Sequence, residues 1–433
     1  MALTTTDKNI TSDVASFIQR RMLNVNDPIR KGALEVFQQL GLPANKHEEY
    51  KYTPITRELE KNFTFQQLAV EPLLDDVKEY FIPEVDANII VFINGIYSSR
   101  HSVVRSSQLT VGSLADALSG SDPVANEHFG QHVSNNDAFA AWNTADWKAG
   151  LYITVPEKTV VDKPIVIYYI NDAASGEVIA TNRNLIIIGE QSQATIVEKF
   201  NSSGAGNHFT NLVNEVVVHE RARLEYYSIH NDKGNRFQFS QTEIYQKDES
   251  GVNTYTFNLQ GKLLRTNLHL IIDGEAIESH MYGLYLLNGN TLADNHTIVD
   301  HKKPNSMTNE LYKGVMDDNS RGIFNGKIYV RPQAQKTNAF QANRNILLSE
   351  KASVNTKPQL EIWADDVKCS HGCTTGQLDE EAMFYLRSRG IEKNAARAMM
   401  LHAFAGEITD KIAHPAIKRY IDVAINERLQ HNF

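Results

Sequence analysis

The sequence predicts a mainly β protein that carries helical segments at both ends. Between about Asn88 and Trp363, short runs rich in Val, Ile and Tyr alternate with Gly, Asn and Asp, a pattern typical of strands joined by tight turns. Before and after this stretch, apolar residues recur instead at helical spacing. These observations divide the chain into three zones, of which the middle one is the largest.

The first zone begins with two predicted helices. Ser12 and Asp13 are plausible N-cap residues for the first of them. The second is predicted to begin just after Asp27 and to end at Gly41, a residue type that commonly terminates helices. The polar and aromatic stretch that follows, Leu42–Thr53, has no clear periodicity, and we interpret it as an ordered connector.

The middle zone contains predicted strands and one predicted helical insertion, around Asp137–Trp147. About 275 residues of short strands exceed what one sandwich or small barrel normally holds, whereas a solenoid grows coil by coil without such a limit. The pattern alone therefore leaves two architectures open, a parallel β-helix and a pair of packed β-domains. The predicted strands include Ile89–Ile93, Leu151–Val155, Ile165–Ile170, Leu185–Ile188, Val216–His219, Leu268–Ile272, Lys327–Val330 and Ile346–Leu348.

The last zone again predicts helices. Asp379 is expected to cap the first, which Gly390 ends. Apolar residues at helical spacing mark a second helix around Met399 and a third that begins near Pro415. This amphipathic region could either cover the open end of a solenoid or dock a partner, and the pattern favours the cover.

Composition and charge exclude several classes of protein. No run reaches the roughly 18 apolar residues of a membrane helix. A net charge of -9 without a basic block argues against nucleic acid as the main partner. The lack of a recognisable secretion signal and the presence of two cysteines in 433 residues predict a reducing cytoplasm. Motifs for nucleotide binding and common hydrolytic sites are also missing.

The two cysteines lie four positions apart with a histidine between them, at Cys369, His371 and Cys373. Thiolate and imidazole groups are good ligands for iron and zinc. In an extended strand, alternate residues point to the same side, so the three side chains could share one open metal or sulfur site. They do not complete a cluster site alone, because a four-iron cluster normally takes about four thiolates. The alternative is a pair of small buried thiols beside a turn histidine.

A set of longer motifs runs through the chain. The segments are Gly41–Pro43 and Glu48–Thr53 near the start, Tyr312–Gly314, Ser320–Gly326 and Ala334–Thr337 further on, and Lys357–Ile362, Ala364–Gly372, Gly376–Glu380 and Phe384–Ile391 near the end. Together they resemble the SufB/SufD family of the SUF iron–sulfur cluster assembly machinery, and the SufD branch in particular. The likeness spans nearly the whole length. The scarcity of cysteines and the context of Asp365 and Asp366 favour SufD over SufB.

The resemblance implies a right-handed parallel β-helix core at residues 88–376, between an N-terminal helical domain at 1–87 and a C-terminal helical domain at 377–433. It also implies a scaffold subunit without catalysis of its own, because the ATPase activity of this system belongs to SufC. SufD pairs with its paralogue SufB, and each binds a copy of SufC. The expected cofactor is a transient iron–sulfur cluster shared with SufB and not held stably by this chain alone. In isolation the chain could form a homodimer.

The resemblance further assigns site residues. The histidine of the Cys-Ser-His-Gly motif belongs to the SufB–SufD interface site, and here it is His371, with Cys369 as the matching cysteine. The position after the glycine is commonly alanine in SufD proteins, but here it is Cys373. That residue could add a thiolate ligand or serve only as a small apolar side chain.

Docking of SufC is expected on the C-terminal helices, where Met399, Met400 and Phe404 offer soft apolar surface of a kind often used at interfaces. Three alternatives to this function stay open. They are a SufB-like paralogue, a stand-alone metal-binding β-helix protein and, as the remotest, a β-helix enzyme that acts on carbohydrate.

Overall fold

A computed structural model describes residues 5–22, 27–44, 46–66, 74–133 and 136–431. The helices within these ranges are α1 (Thr5–Arg21), α2 (Pro28–Leu40), α3 (Ile55–Asn62), α4 (Leu114–Ser119), α5 (Pro123–His128), α6 (Ala138–Asp146), α7 (Glu380–Ser388), α8 (Lys393–Thr409) and α9 (Pro415–His431), with short 3-10 turns at Glu48–Tyr50 and Lys78–Tyr80. The strands are β1 (Asn88–Ile93), β2 (Ile96–Tyr97), β3 (Thr110–Ser113), β4 (Ala149–Val155), β5 (Ile165–Asp172), β6 (Val178–Ile188), β7 (Gln193–Ser203), β8 (Asn207–Val218), β9 (Arg223–Asn231), β10 (Asn235–Gln246), β11 (Gly251–Gln260), β12 (Leu263–Ile272), β13 (Glu278–Leu287), β14 (Leu292–His301), β15 (Met307–Met316), β16 (Arg321–Val330), β17 (Asn338–Leu347), β18 (Ser353–Ile362) and β19 (Lys368–Gly376).

The strands form a parallel β-solenoid of about 8 turns. One sheet, here sheet A, stacks the odd-numbered strands other than β3, and sheet B stacks the even-numbered strands other than β2. The short strands β2 and β3 pair antiparallel with β1 and β4 at the first end. Register partners Leu263, Leu292 and Arg321 lie 29 residues apart, so a coil of this length repeats although the sequence shows no exact repeat. The mainly β prediction is confirmed, and the solenoid rather than two packed β-domains is the architecture.

The inward-facing side chains of the two sheets form a continuous apolar core. Within it, Phe92, Tyr169, Phe200 and His230 stack from coil to coil, with ring centroids 5.5, 5.0 and 4.7 Å apart. Matching side chains at matching positions favour one register between successive coils, because a slip of one residue would turn them to the other face.

The strands are longer than the sequence predicts because polar residues also lie inside. Strand β6 begins seven residues before the predicted Leu185. In the added part, the Arg183 guanidinium donates to Glu215 at 2.6 Å, and Asn184 donates to Asn214 at 2.8 Å. Buried polar groups that find partners are compatible with a strand, but they hide it from a search for apolar runs.

The N-terminal helices and the helical insertion pack together against the outer face of sheet B. Trp142 of α6 lies between Phe37 of α2 and Phe209 of β8, with centroid separations of 6.3 and 5.3 Å. The predictions that α2 begins just after Asp27 and ends at Gly41, and that the insertion is helical, are confirmed. The short helices α4 and α5 were not predicted.

Helix α1 differs from its prediction at the start. It is helical from Thr5, and Ser12 and Asp13 are exposed residues within it rather than caps. Because Ile10 is buried one turn before Val14, the apolar face continues through the predicted boundary.

The C-terminal helices α8 and α9 lie along the outer face of sheet A. Leu401 of α8 and Ile417 and Ile421 of α9 are buried in one cluster with Phe257 and Leu284 of the sheet. The prediction that these helices cover the open end of the solenoid is therefore wrong. The apolar stripe of α9, formed by Ile417, Tyr420, Ile421 and Ala424, packs inward on the solenoid. An amphipathic helix could cover either the open end of the solenoid or the side of a sheet. The helices α8 and α9 lie on the side because the outer face of sheet A is apolar. No helix in the described ranges is long and apolar enough to cross a membrane.

Candidate functional site

The last coil of the solenoid is uncovered. Within the described residues, β18 pairs with β16 alone among the strands of its sheet and β19 with β17 alone, so each leaves one backbone edge free. Every residue of β19 is exposed except Cys369, which is half-buried. An unpaired strand edge is a template on which another chain can add a strand. This end of the solenoid is therefore a surface suited to a second subunit.

The structure brings the three predicted ligands to one face of this coil. Cys369 packs against the apolar interior. Since successive side chains of a strand alternate, His371 and Cys373 share the inner face of β19 with it, and both are exposed. Their register partners in β17, in the same order, are Ala339, Gln341 and Asn343.

The environment of Cys369 sets its protonation state. Burial raises the pKa of the thiol, and a backbone hydrogen bond at Ala339 offsets part of this effect. Cys369 is therefore a neutral thiol at neutral pH until a metal ion or another cation approaches it. Ligation by this residue would release a proton.

The inner face of β19 is not a closed metal site. Alternate Cβ atoms of a strand lie about 6.6–6.8 Å apart. In the part of the chain that the structure describes, no three His, Cys, Asp or Glu side chains are arranged to hold a metal ion. A metal bound at this face needs further ligands from outside β19.

A polar layer lies beneath His371 and Cys373. Asn343 donates to the hydroxyl of Tyr285 at 2.9 Å, and this hydroxyl donates to Asn345. The Tyr285 ring fits because residue 314 is glycine, where a Cβ atom would lie 2.1 Å from the ring. Sequence reasoning missed this layer. Its signal was the alternation of Gln341, Asn343 and Asn345 on one side of an otherwise ordinary strand.

The structure places the three predicted docking residues in different environments. Met399 is 51% exposed on α8, and Met400 is half-buried. Phe404 packs onto the sheet A cluster, with the Lys313 ammonium 3.9 Å from its ring centroid. Of the three, Met399 is the residue whose side chain is most available to a partner.

A groove of about 750 Å³ separates α8 from α9 beside Met399. Ala395, Ala398 and His402 of α8 line it together with Leu429 of α9. A groove lined by small, apolar and polar side chains can receive side chains of a partner, as helix-in-groove interfaces do.

Helix α7 presents a second exposed apolar surface, which the sequence did not reveal. It begins after Asp379 as predicted but has no buried residue. Phe384 and Tyr385 are 74% and 57% exposed. Large exposed aromatic side chains close in sequence to an open sheet edge are typical of interaction surfaces.

Comparisons with known proteins match the chain over nearly its whole length. Residues 169–404 match the family model described as "SUF system FeS cluster assembly, SufBD core domain", and residues 8–167 match "SufBD protein N-terminal region". SufD of Escherichia coli is 30% identical over 410 residues, which cover 92% of this chain and 91% of that protein. A SufBD family protein of Synechocystis is 32% identical over 88% of this chain and 86% of its own length. The chloroplastic protein ABCI7 of Arabidopsis thaliana is 27% identical over 90% and 83%.

The fold and the site define a β-solenoid protein with helical flanking segments and an uncovered terminal coil that presents thiol and imidazole groups. Together with the matches over nearly the whole length, this identifies the family. The chain belongs to the SufBD family of the SUF iron–sulfur cluster assembly system and is close to SufD.

Proposed function

We propose that this chain is a non-catalytic, cytoplasmic scaffold subunit of SUF cluster assembly that pairs with a SufB-like paralogue and docks a SufC-like ATPase. A transient iron–sulfur cluster is the cargo that the two scaffold subunits build at their interface. One observation carries the proposal: the uncovered β18–β19 coil presents Cys369, His371 and Cys373 on one face.

Each of the three residues has a distinct role at this interface. His371 is exposed, and an imidazole can ligate iron or carry a proton near neutral pH. Cys369 supplies a thiol that ionises when iron binds, and Cys373 supplies a second, exposed sulfur. The paralogue supplies the remaining ligands, because three donors spaced along one strand leave a cluster incomplete.

The proposed ATPase site uses Met399, Met400 and the adjoining groove between α8 and α9. Ion pairs support a link from this site to the cluster face. Glu407 of α8 binds Lys313 of β15 at 2.6 Å and Arg344 of β17 at 3.1 Å. Since β17 is the strand on which β19 lies, force applied to α8 by the ATPase is transmitted to the neighbour of the cluster strand.

Co-purification tests the partnership. The full chain, tagged in its native cell and isolated anaerobically, should bring with it a SufB-like paralogue and a SufC-like ATPase. Recovery of the chain alone, from cells in which both proteins are abundant, would refute the assignment.

Reconstitution tests the shared site. The isolated chain, treated anaerobically with iron and sulfide, should retain less than one four-iron cluster per chain after desalting. The co-purified complex should retain a full one. A stoichiometric and stable cluster on the chain alone would instead support the stand-alone metal-binding protein.

A further inference from the structure

Gln341 lies directly beneath His371 on the inner face of the last two coils of sheet A. The two residues are register partners in the parallel strands β17 and β19. Neighbouring strands are about 4.8 Å apart, which is within reach of a hydrogen bond between a glutamine and a histidine side chain. Gln341 is 3% exposed, so its amide is turned into the interior below the rim.

Glu310 fixes which way this amide points. It is the register partner of Gln341 in the next coil, β15, and is itself 2% exposed. The Gln341 Nε2 atom donates to a Glu310 carboxylate oxygen at 2.7 Å. Because the NH2 group faces the carboxylate, the carbonyl oxygen Oε1 is the acceptor of this amide that is left for another partner.

That carbonyl oxygen is buried and accepts no hydrogen bond from the described residues. An unsatisfied buried carbonyl is costly, and each such group in a native protein needs an explanation. The opposite sheet, sheet B, also leaves space for the Gln341 amide. Residue 326 in β16 is glycine, and a Cβ atom there would lie 2.2 Å from Gln341 Nε2.

We propose that Gln341, oriented by Glu310, accepts a hydrogen bond from the inward ring nitrogen of His371 and thereby fixes the tautomer of this histidine. The other ring nitrogen then keeps its lone pair and faces the open end of the solenoid. In metal sites, a histidine that donates its second N–H to a carbonyl is held in orientation and gains basicity. Gln341 and Glu310 are thus positioning residues. Which ligand the outward nitrogen of His371 binds depends on the proposed function. The fixed tautomer of His371 does not depend on it.

Nitrogen NMR of the full chain tests this arrangement without any metal. With ¹⁵N-labelled histidine, proton–nitrogen correlations at alkaline pH distinguish the two neutral tautomers, and His371→Ala assigns the signal. Under these conditions Glu310, whose pKa burial raises to about 7, is ionised and can only accept. The parent chain should show a single tautomer at His371. Gln341→Met, which removes the acceptor at similar volume, should give a mixture of both.

Two further variants complete the design. In Glu310→Gln the new amide can both donate and accept, so it can form a hydrogen bond with either end of the Gln341 amide. Gln341 would then present either its carbonyl oxygen or its NH2 group to His371, and the single tautomer should again be lost. Gln359→Met makes the same substitution on the outward side of β18 and should leave the tautomer unchanged. A mixture in the parent chain, or a single unchanged tautomer in folded Gln341→Met, would overturn the inference. If Gln341→Met does not fold, the inference is still tested by the parent spectrum, which should show one tautomer, and by Glu310→Gln, which should show both.

This result is separable from the proposed function. A fixed tautomer together with normal cluster assembly by His371→Ala would refute the role of His371 and leave the positioning intact. Loss of assembly in His371→Ala together with an unbiased parent tautomer would refute the positioning alone.

Discussion

Glu49 of the connector and Lys327 of β16 form an ion pair, with 2.7 Å between Oε1 and Nζ, although 278 positions separate them in the chain. The same carboxylate lies 3.5 Å from Nδ1 of His296. Hydrogen bonds from His296 and Lys327 lower the pKa of Glu49 despite the opposing effect of burial. The connector is thereby fastened across the outer face of sheet B, toward the uncovered end.

The Glu49→Gln variant should be less stable than the parent. We expect a loss of about 1–2 kcal/mol in the free energy of unfolding at pH 7, the range for a charged hydrogen bond reduced by partial exposure. The pKa of Glu49 is lower in the folded chain than in the unfolded chain, where it is about 4.3. The difference in stability between variant and parent should therefore have its full size above pH 4.3 and should shrink as the pH falls below that value.

Urea unfolding at pH 7 and pH 3 measures this effect. Glu48→Gln is the matched control, because Glu48 is exposed and binds Lys357 at the surface. It should leave the free energy of unfolding unchanged within the precision of the measurement. Equal effects of the two substitutions would show that the connector is not fastened through Glu49.

The Glu310→Gln variant should be more stable than the parent at pH 8. Burial raises the pKa of Glu310 to about 7, so the folded chain keeps a proton that the unfolded chain releases above about pH 4.3. The contribution of this carboxyl to stability is therefore complete at low pH and is lost as the pH rises toward 7. We expect the variant to gain about 1–3 kcal/mol at pH 8 and nothing at pH 4.5. A difference between variant and parent that stays constant with pH would contradict this account.

Gly283→Ala should destabilise the solenoid interior. A Cβ atom at this position would lie 2.1 Å from the ring of Tyr312, which stacks over the glycine from the next coil. We expect a cost of about 2–3 kcal/mol from overpacking. Gly112→Ala, where nothing lies within 4 Å, is the control and should cost less than about 0.5 kcal/mol. Thermal unfolding of the three proteins compares them, and equal midpoints would contradict the packing described here.

Met399→Glu should weaken binding of the SufC-like ATPase. A charged side chain at this position would lose its hydration when the partner covers the groove between α8 and α9, and we expect the dissociation constant to rise about 30-fold or more. Val423→Glu is the control, since Val423 is 56% exposed on α9 but is not among the groove residues. Calorimetry with the purified ATPase measures both. Unchanged affinity of Met399→Glu would place the docking surface elsewhere.

The sequence was sufficient for the elements whose signals are local. The start of α2 after Asp27, its end at Gly41 and the Asp379 cap of α7 are each set within one turn of helix, and all three are found where they were predicted. The apolar halves of the strands were recognisable for the same reason. The family motifs supplied the choice of a solenoid, because the pattern of strands alone leaves two packed β-domains open as well.

The rest depends on contacts between residues distant in the chain. Arg183 belongs in a strand because Glu215 meets it one coil later, and Gln341 is buried because Glu310 receives its amide. The flank position of α8 and α9 depends on the outer face of sheet A, which no local pattern describes. His371, Cys369 and Cys373 could be grouped from their spacing, but the uncovered edge that gives them access was visible only in the fold.

The role of His371 in building the cluster is tested by the amount of iron and acid-labile sulfide bound per complex after anaerobic assembly with His371→Ala. Thr375→Ala, on the same side of the same strand, is the control. The account predicts that both complexes assemble with their partners. The His371 variant should then lose cluster by about tenfold or more, since even residues behind a metal ligand are worth about 10–100-fold in affinity. The control should keep the parental amount. Parental iron and sulfide in the His371→Ala complex would contradict the claim that the inner face of β19 builds the cluster.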